Sequence, residues 1–294
     1  MAERTLLVTG ASGGFGRRLV PLLAAQPGRS VRALAHRRAV DAGVETVRGD
    51  LRHRESLAAA LVGVETVLHL AAVTHSHAAR DYREVNAEGT RNLVAAAAAA
   101  GVRRVVLMSS RAAVPGGGAY AASKLAAEEA VRGAPLEWVV LRPAEVYGPG
   151  STDAVATLVH WLRRWGLAPV VAPDQGKVAP AHLDDVAAAT CRALDPAAPS
   201  GRVHTLAGDE ELTLRQLVGR IARVLGVPGR ALPVPLSLAR MLAAGCRLVG
   251  SRLLVADQMP RLLAPKSGDL ASARRDLAFA PRPLDAGLAD WLDR

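Results

Sequence analysis

Tyr120 and Lys124 stand four residues apart in "GGGAYAASKLAAEEA" (116–130), in a chain with only three tyrosines and three lysines. Residues at that spacing share one face of a helix, so a phenol and an ammonium can line the same cleft. A free phenol has a pKa of about 10 and is a poor acid–base at neutral pH. A nearby ammonium stabilises the phenolate and brings that value toward a useful range. Such a pair could give a proton to a carbonyl oxygen under reduction, or take one from an alcohol. The same oxygen needs a second hydroxyl to hold it. Ser109 and Ser110, at the end of "VRRVVLMSS" (102–110), supply two candidates.

A second constellation is "LLVTGASGGFGRRLV" (6–20), which sets Gly10, Gly13 and Gly16 between a strand-like and a helix-like run. Glycines there allow a tight turn and let the backbone approach a pyrophosphate, which rests on helix N-terminal N–H groups. NAD-binding chains usually grip the ribose 2′-OH with an acid about 20 residues further on. Here no acidic residue occurs between Glu3 and Asp41, and the second strand runs out into His36-Arg37-Arg38. A guanidinium forks a 2′-phosphate that a carboxylate would repel. The expected cofactor is therefore NADP(H), with Arg37 the first candidate and Arg38 or His36 the alternatives.

These groups need a scaffold, and the first half of the chain alternates strand and helix patterns, the mark of βαβ units and a parallel sheet. Strands are expected at 5–10, 30–35, 44–50, 64–72, 102–110 and from 137, with helices at 14–26, 54–63, 84–101 and around Tyr120. After about residue 150 prolines cluster and the alternation loosens. The expectation is an α/β fold: a doubly wound Rossmann-type parallel sheet with a smaller, mostly helical C-terminal substrate lobe. Residues 1–150 form the NADP-binding domain, with 178–194 and 202–208 returning to it, and 151–294 form the interleaved lobe.

Composition narrows the function further. With 294 residues and half of them hydrophobic, the chain can bury a large core. No apolar run approaches the roughly 18 residues of a membrane span, and the start does not read as a signal peptide. The expected location is the cytoplasm. The net charge of +10 is almost all scattered arginine, and aromatics are only 3% of the chain, which argues against nucleic-acid binding. Cys191 and Cys246 share no metal-ligand or CxxC spacing, so no metal is expected. "SLARMLAAGCRLVG" (237–250) reads as an ordinary lobe helix with one wet side, in preference to a membrane-surface helix.

Several motifs occur together and in order: TGASGGFG, Asp50-Leu51, "LHLAA" (68–72), "VNAEGTRNL" (85–93), "MSS" (108–110), "YAASK" (120–124), "LRPAEVYGPG" (141–150) and "AHLDDVAAA" (181–189). In this the chain resembles the extended short-chain dehydrogenases/reductases, the NAD(P)-dependent epimerase/dehydratase-like family. The resemblance implies Tyr120 as acid/base, Lys124 on the nicotinamide ribose, Ser110 (Ser109 as second choice) on the substrate carbonyl, and Asn86 in a structural or relay role. It also implies Gly10, Ser12, Gly13, Phe15 and Gly16 at the cofactor phosphates, and Asp50 and Leu51 at the adenine. Ala71 and Ala72 would lie along the diphosphate and ribose, and Pro143 and Val146 near the carboxamide. Thr74, Ser110, Arg111 and Tyr147 are the expected substrate contacts.

Three features bear on the reaction. Arg111-Ala112-Ala113 follow Ser110 where the resemblance implies acidic residues in dehydratases, which argues against dehydration. Val178 stands where sugar-nucleotide members carry an arginine, leaving Arg261 or another C-terminal arginine to meet a diphosphate. The crossing from Ser110 to Tyr120, "RAAVPGGGA", is also short for the family, which would either open room for a bulkier, more apolar ketone or mark an impaired, non-catalytic site. The leading expectation is an NADPH-dependent ketoreductase acting on a sugar nucleotide or a secondary-metabolite ketone. A sugar-nucleotide epimerase and a non-catalytic NADP(H) sensor or scaffold are the alternatives. The resemblance also allows a homodimer.

Overall fold

The computed structural model describes residues 4–37, 40, 43–151, 153–251, 254–266 and 268–293. Its strands in chain order are β1 (Arg4–Thr9), β2 (Arg29–Ala35), β3 (Glu45–Arg48), β4 (Thr66–His69), β5 (Arg104–Met108), β6 (Glu137–Pro143), β7 (Val146–Tyr147), β8 (Leu167–Val171), β9 (Ala181–His182), β10 (Arg202–Leu206) and β11 (Arg230–Val234). Seven of them form one parallel sheet in the order β10-β6-β5-β4-β1-β2-β3. The order reverses between β1 and β4, the crevice where doubly wound sheets bind nucleotides.

Continuous apolar strands suit a sheet covered on both faces. Leu6 and Val8 of β1 pack into one core layer while Leu7 between them packs into the other. The first layer includes residues of the helices Gly14–Ala24, Leu183–Ala193 and Ala271–Leu277. The second includes residues of Gly89–Ala99 and Gly118–Arg132. A third core gathers Tyr147 with the helices Ala154–Trp165, Leu214–Leu225 and Leu284–Leu292. Beside these helices β8 and β11 make a two-stranded parallel sheet of their own.

The later segments rejoin the first half in different ways. β10 pairs with β6 at the edge of the main sheet, whereas β9 pairs only with β7 in a separate short ladder. Pro143 closes β6 and Pro180 precedes β9, and neither has an N–H to extend a ladder. The helix expected at 84–101 is π-wound over Tyr82–Glu88 before it becomes α-helical at Gly89. No helix among the described residues is long and apolar enough to cross a membrane.

Candidate active site

Every strand of the sheet from β1 to β6 runs the same way, so the segments that follow their carboxyl ends collect along one edge. The glycine turn follows β1, and its packing depends on missing side chains. A Cβ on Gly10 (φ +70°) would lie 2.6 Å from the Ala71 nitrogen, and one on Gly16 would lie 2.4 Å from the Gly10 carbonyl oxygen. The Gly13 N–H donates to that same oxygen at 2.9 Å. The helix Gly14–Ala24 then starts with no side-chain cap and no acid in its first turn. Its N–H groups and dipole are left for an anion. This cradle fits the diphosphate of a nicotinamide dinucleotide. Phe15 packs into the first core layer, and the Ser12 carbonyl accepts from Arg17 Nε at 2.9 Å.

After β2 come His36 and Arg37, both exposed. Arg37 pairs with no carboxylate among the described residues, and Arg38 lies outside them. His36 Nε2 instead sits 3.2 Å from Asp50, which is also forked by Arg52, with a shortest contact of 2.6 Å. The Arg52 fork holds the Asp50 carboxyl far below the usual carboxylate range. The charge of Asp50 is thus compensated by Arg52, with His36 beside it. Leu51 is buried, and its carbonyl accepts from Asn92 at 2.8 Å.

Beyond β4, Ala71 and Ala72 lie partly open, and the Ala71 N–H donates to Thr9 Oγ1 at 3.2 Å. His69 joins Thr9 (2.6 Å) to Thr90 (2.9 Å), and burial holds its imidazole down to a pKa of about 3. Asn86 clamps the same segment, accepting from the Val73 N–H at 2.8 Å and donating to the Val73 carbonyl and to Ser123 at 3.0 Å each. It thereby ties this loop to the helix bearing Tyr120 and Lys124.

That helix, Gly118–Arg132, buries both of its expected functional side chains. Lys124 Nζ donates to the Met108 carbonyl at 2.7 Å, and burial lowers its pKa to about 8. Burial pushes the Tyr120 phenol above its ordinary value, while Arg261 and a hydrogen bond with the Ser110 side chain pull it back. Arg261 is the foremost of the groups that lower this phenol. The two serines separate cleanly. Ser109 donates to buried Glu128 at 2.5 Å, and Glu128 is held in turn by Arg132 and Arg142. Ser110, free of that network, faces Tyr120.

The C-terminal lobe completes the surroundings. Gly117 gives the helix no side-chain cap; Asp257 does so from the lobe, accepting from the N–H groups of Ala119 (2.6 Å) and Tyr120 (3.3 Å). Asp257 also holds Arg261 at 2.9 Å, and the Thr74 carbonyl takes two more bonds from that guanidinium. Its plane lies 3.9 Å from the centre of the Tyr120 ring, and Tyr82 meets the ring edge-on. Sequence reasoning named Arg261 only as a diphosphate candidate and missed Asp257. The signal available was their i, i+4 spacing, which became meaningful only once the lobe had folded against Gly118.

Three further expectations place differently. Tyr147 is wholly buried in the lobe core against His182 and Trp291, and it has no surface to offer a substrate. Burial there raises its pKa well above the ordinary value. Arg111 is buried too, paired with Glu211 and with the Lys266 carbonyl at 3.2 Å. Thr74 is exposed, and it is its backbone that engages Arg261. Pro143 ends β6 and accepts from the Arg111 N–H at 2.8 Å, with partly buried Val146 just beyond.

Residues 6–207 match the model of the NAD dependent epimerase/dehydratase family. The chain belongs to that family. It is an oxidoreductase of the extended short-chain dehydrogenase/reductase type, with a nicotinamide cofactor. A 2-alkyl-3-oxoalkanoate reductase of Stenotrophomonas maltophilia is 30% identical over 96% of this chain and 97% of its own. A ceramide reductase of Caulobacter vibrioides is 34% identical over 65% of this chain, a match that spans 62% of that enzyme's length. Among solved structures, a dTDP-glucose 4,6-dehydratase of Streptomyces venezuelae with NAD bound superposes with a TM-score of 0.78 and 26% identity, covering 98% of this chain and 95% of its own.

Proposed function

We propose that this family member is an NADPH-dependent ketoreductase. The observation that supports it best is the grouping of Ser110, Tyr120 and Lys124 beside a glycine turn shaped for a diphosphate. NADPH, when bound, supplies a hydride to the ketone carbon. Ser110 holds the ketone oxygen, and Tyr120 gives its proton to that oxygen as it becomes an alcohol. Lys124, fixed by the Met108 carbonyl, holds the cofactor ribose and supplies positive charge behind the phenol. Asn86 keeps the Val73 loop and the catalytic helix in register. Gly10, Ser12, Gly13, Phe15 and Gly16 cradle the phosphates, with Leu51 and compensated Asp50 at the adenine.

The choice of NADPH over NADH rests on the acid-free end of β2 and on Arg37, with Arg38 and His36 beside it. The relatives named above add weight to reduction, since both are named as reductases and one for a 3-oxo acid. The substrate is a ketone on a secondary-metabolite intermediate or a sugar nucleotide. In this reading 1–150, with 178–194 and 202–208, serve the cofactor and 151–294 serve the substrate. Initial rates of NADPH and NADH oxidation over a panel of alkyl 3-oxo acids and keto-sugar nucleotides test it. Faster turnover with NADPH is expected; a clear preference for NADH overturns the cofactor assignment.

A further inference from the structure

The helix Leu236–Leu248 turns its apolar residues outward. Four of the nine large apolar side chains exposed among the described residues lie here, Leu238 (39%), Met241 (65%), Leu242 (48%) and Leu248 (88%), and a fifth, Val249 (79%), follows at the C-cap. Only Ala239 and Ala243 are buried on the inner side, against Met259. This inverts the arrangement of an ordinary lobe helix, whose outer face is polar. The arginines seven apart, Arg240 and Arg247, occupy one flank. They line a cavity of about 270 Å³ that reaches Tyr82, Ala119 and Asp257 beside the catalytic helix. An apolar stripe this continuous on a surface marks an interaction site.

We propose that this face docks on an anionic lipid bilayer. Charge selects that occupant over a second copy of the chain. No acidic residue occurs between Glu211 and Asp257. Arg230, Arg240 and Arg247 are exposed and make no ion pair with a described residue. A symmetric dimer through this face would set like charges against like, whereas an anionic surface complements them. An amphipathic helix lying in the interface plane buries its apolar stripe among acyl chains and leaves its arginines at the headgroups. The docking surface is independent of the ketoreductase reading, and its test needs no turnover.

The test is co-sedimentation with vesicles of phosphatidylcholine and phosphatidylglycerol in equal parts, against phosphatidylcholine alone. The wild-type protein is expected to bind the anionic vesicles. Met241→Ser/Leu248→Ser should weaken that binding at least about tenfold. Arg240→Gln/Arg247→Gln should weaken it roughly thirtyfold, and high salt should do the same for the wild type. Retained circular dichroism would show that the variants fold, as the exposure of all four side chains leads one to expect. No binding by the folded wild type overturns the proposal, as does binding indifferent to Met241→Ser/Leu248→Ser. A concentration-dependent dimer abolished by those same serines would assign the face to a second copy instead.

Discussion

The guanidinium of Arg261 lies 3.9 Å from the centre of the Tyr120 ring, stacked on the residue placed at the heart of the site. It comes from the C-terminal lobe and is fixed by Asp257 and the Thr74 carbonyl. A cation in this position stabilises the ring and its phenolate together. Burial raises the phenol, and Arg261 is the foremost of the groups that lower it. Arg261→Gln should therefore move Tyr120 ionisation to higher pH. Ultraviolet titration of tyrosinate measures this, and with only three tyrosines in the chain Tyr120→Phe identifies the signal. An unchanged titration in Arg261→Gln would contradict the assignment.

Gly118 is the point at which the lobe meets the helix. Its φ is +91°, and a Cβ there would lie 2.5 Å from Asp257 Oδ1. Gly116 also has a positive φ, of +77°, yet nothing stands within 4 Å of a Cβ placed on it. Gly116→Ala should cost about 1–2 kcal/mol, the penalty of left-handed backbone alone. Gly118→Ala should cost more, because it also displaces the Asp257 cap, worth about 1 kcal/mol. Urea unfolding compares the two directly; equal losses would contradict the role given to Gly118.

These contacts mark the limit of what the sequence makes legible. The β–α alternation, the glycine turn and the Tyr120/Lys124 spacing are local patterns, and they appear where periodicity places them. The tie of Ser109 to Glu128, nineteen residues away, is carried by no local pattern. The short "GGG" crossing reads as room for a bulkier ketone. In the folded chain it is the opening through which Asp257 and Arg261 reach the helix. Tyr147 misleads for the converse reason, since sitting in a family motif says nothing about the lobe core that closes over it.

His69 should make the fold acid-sensitive. Buried between Thr9 and Thr90, it titrates at about 3, against about 6.5 in an unfolded chain. Between those values the unfolded state binds the extra proton. The stability from this group is therefore complete above about pH 6.5 and is lost as pH falls, at about 1.4 kcal/mol per pH unit. His69→Asn removes that titration, so its urea midpoint should fall less than that of the wild type between neutral and acidic pH. Parallel losses in the two proteins would contradict this.

Arg37 carries the cofactor expectation. Arg37→Ala should raise the KM for NADPH at least about tenfold, the loss of one charge-assisted fork, and leave that for NADH nearly unchanged. Steady-state rates with both cofactors measure it, and equal effects on the two would assign the 2′-phosphate to another residue.

The most direct test of the account is NADPH oxidation by Tyr120→Phe with whichever ketone the wild type reduces, paired with NADPH binding followed by fluorescence. In Tyr120→Phe, kcat should fall by about a hundredfold or more, the scale of a lost general acid, while binding changes little. Turnover undiminished in Tyr120→Phe would contradict it.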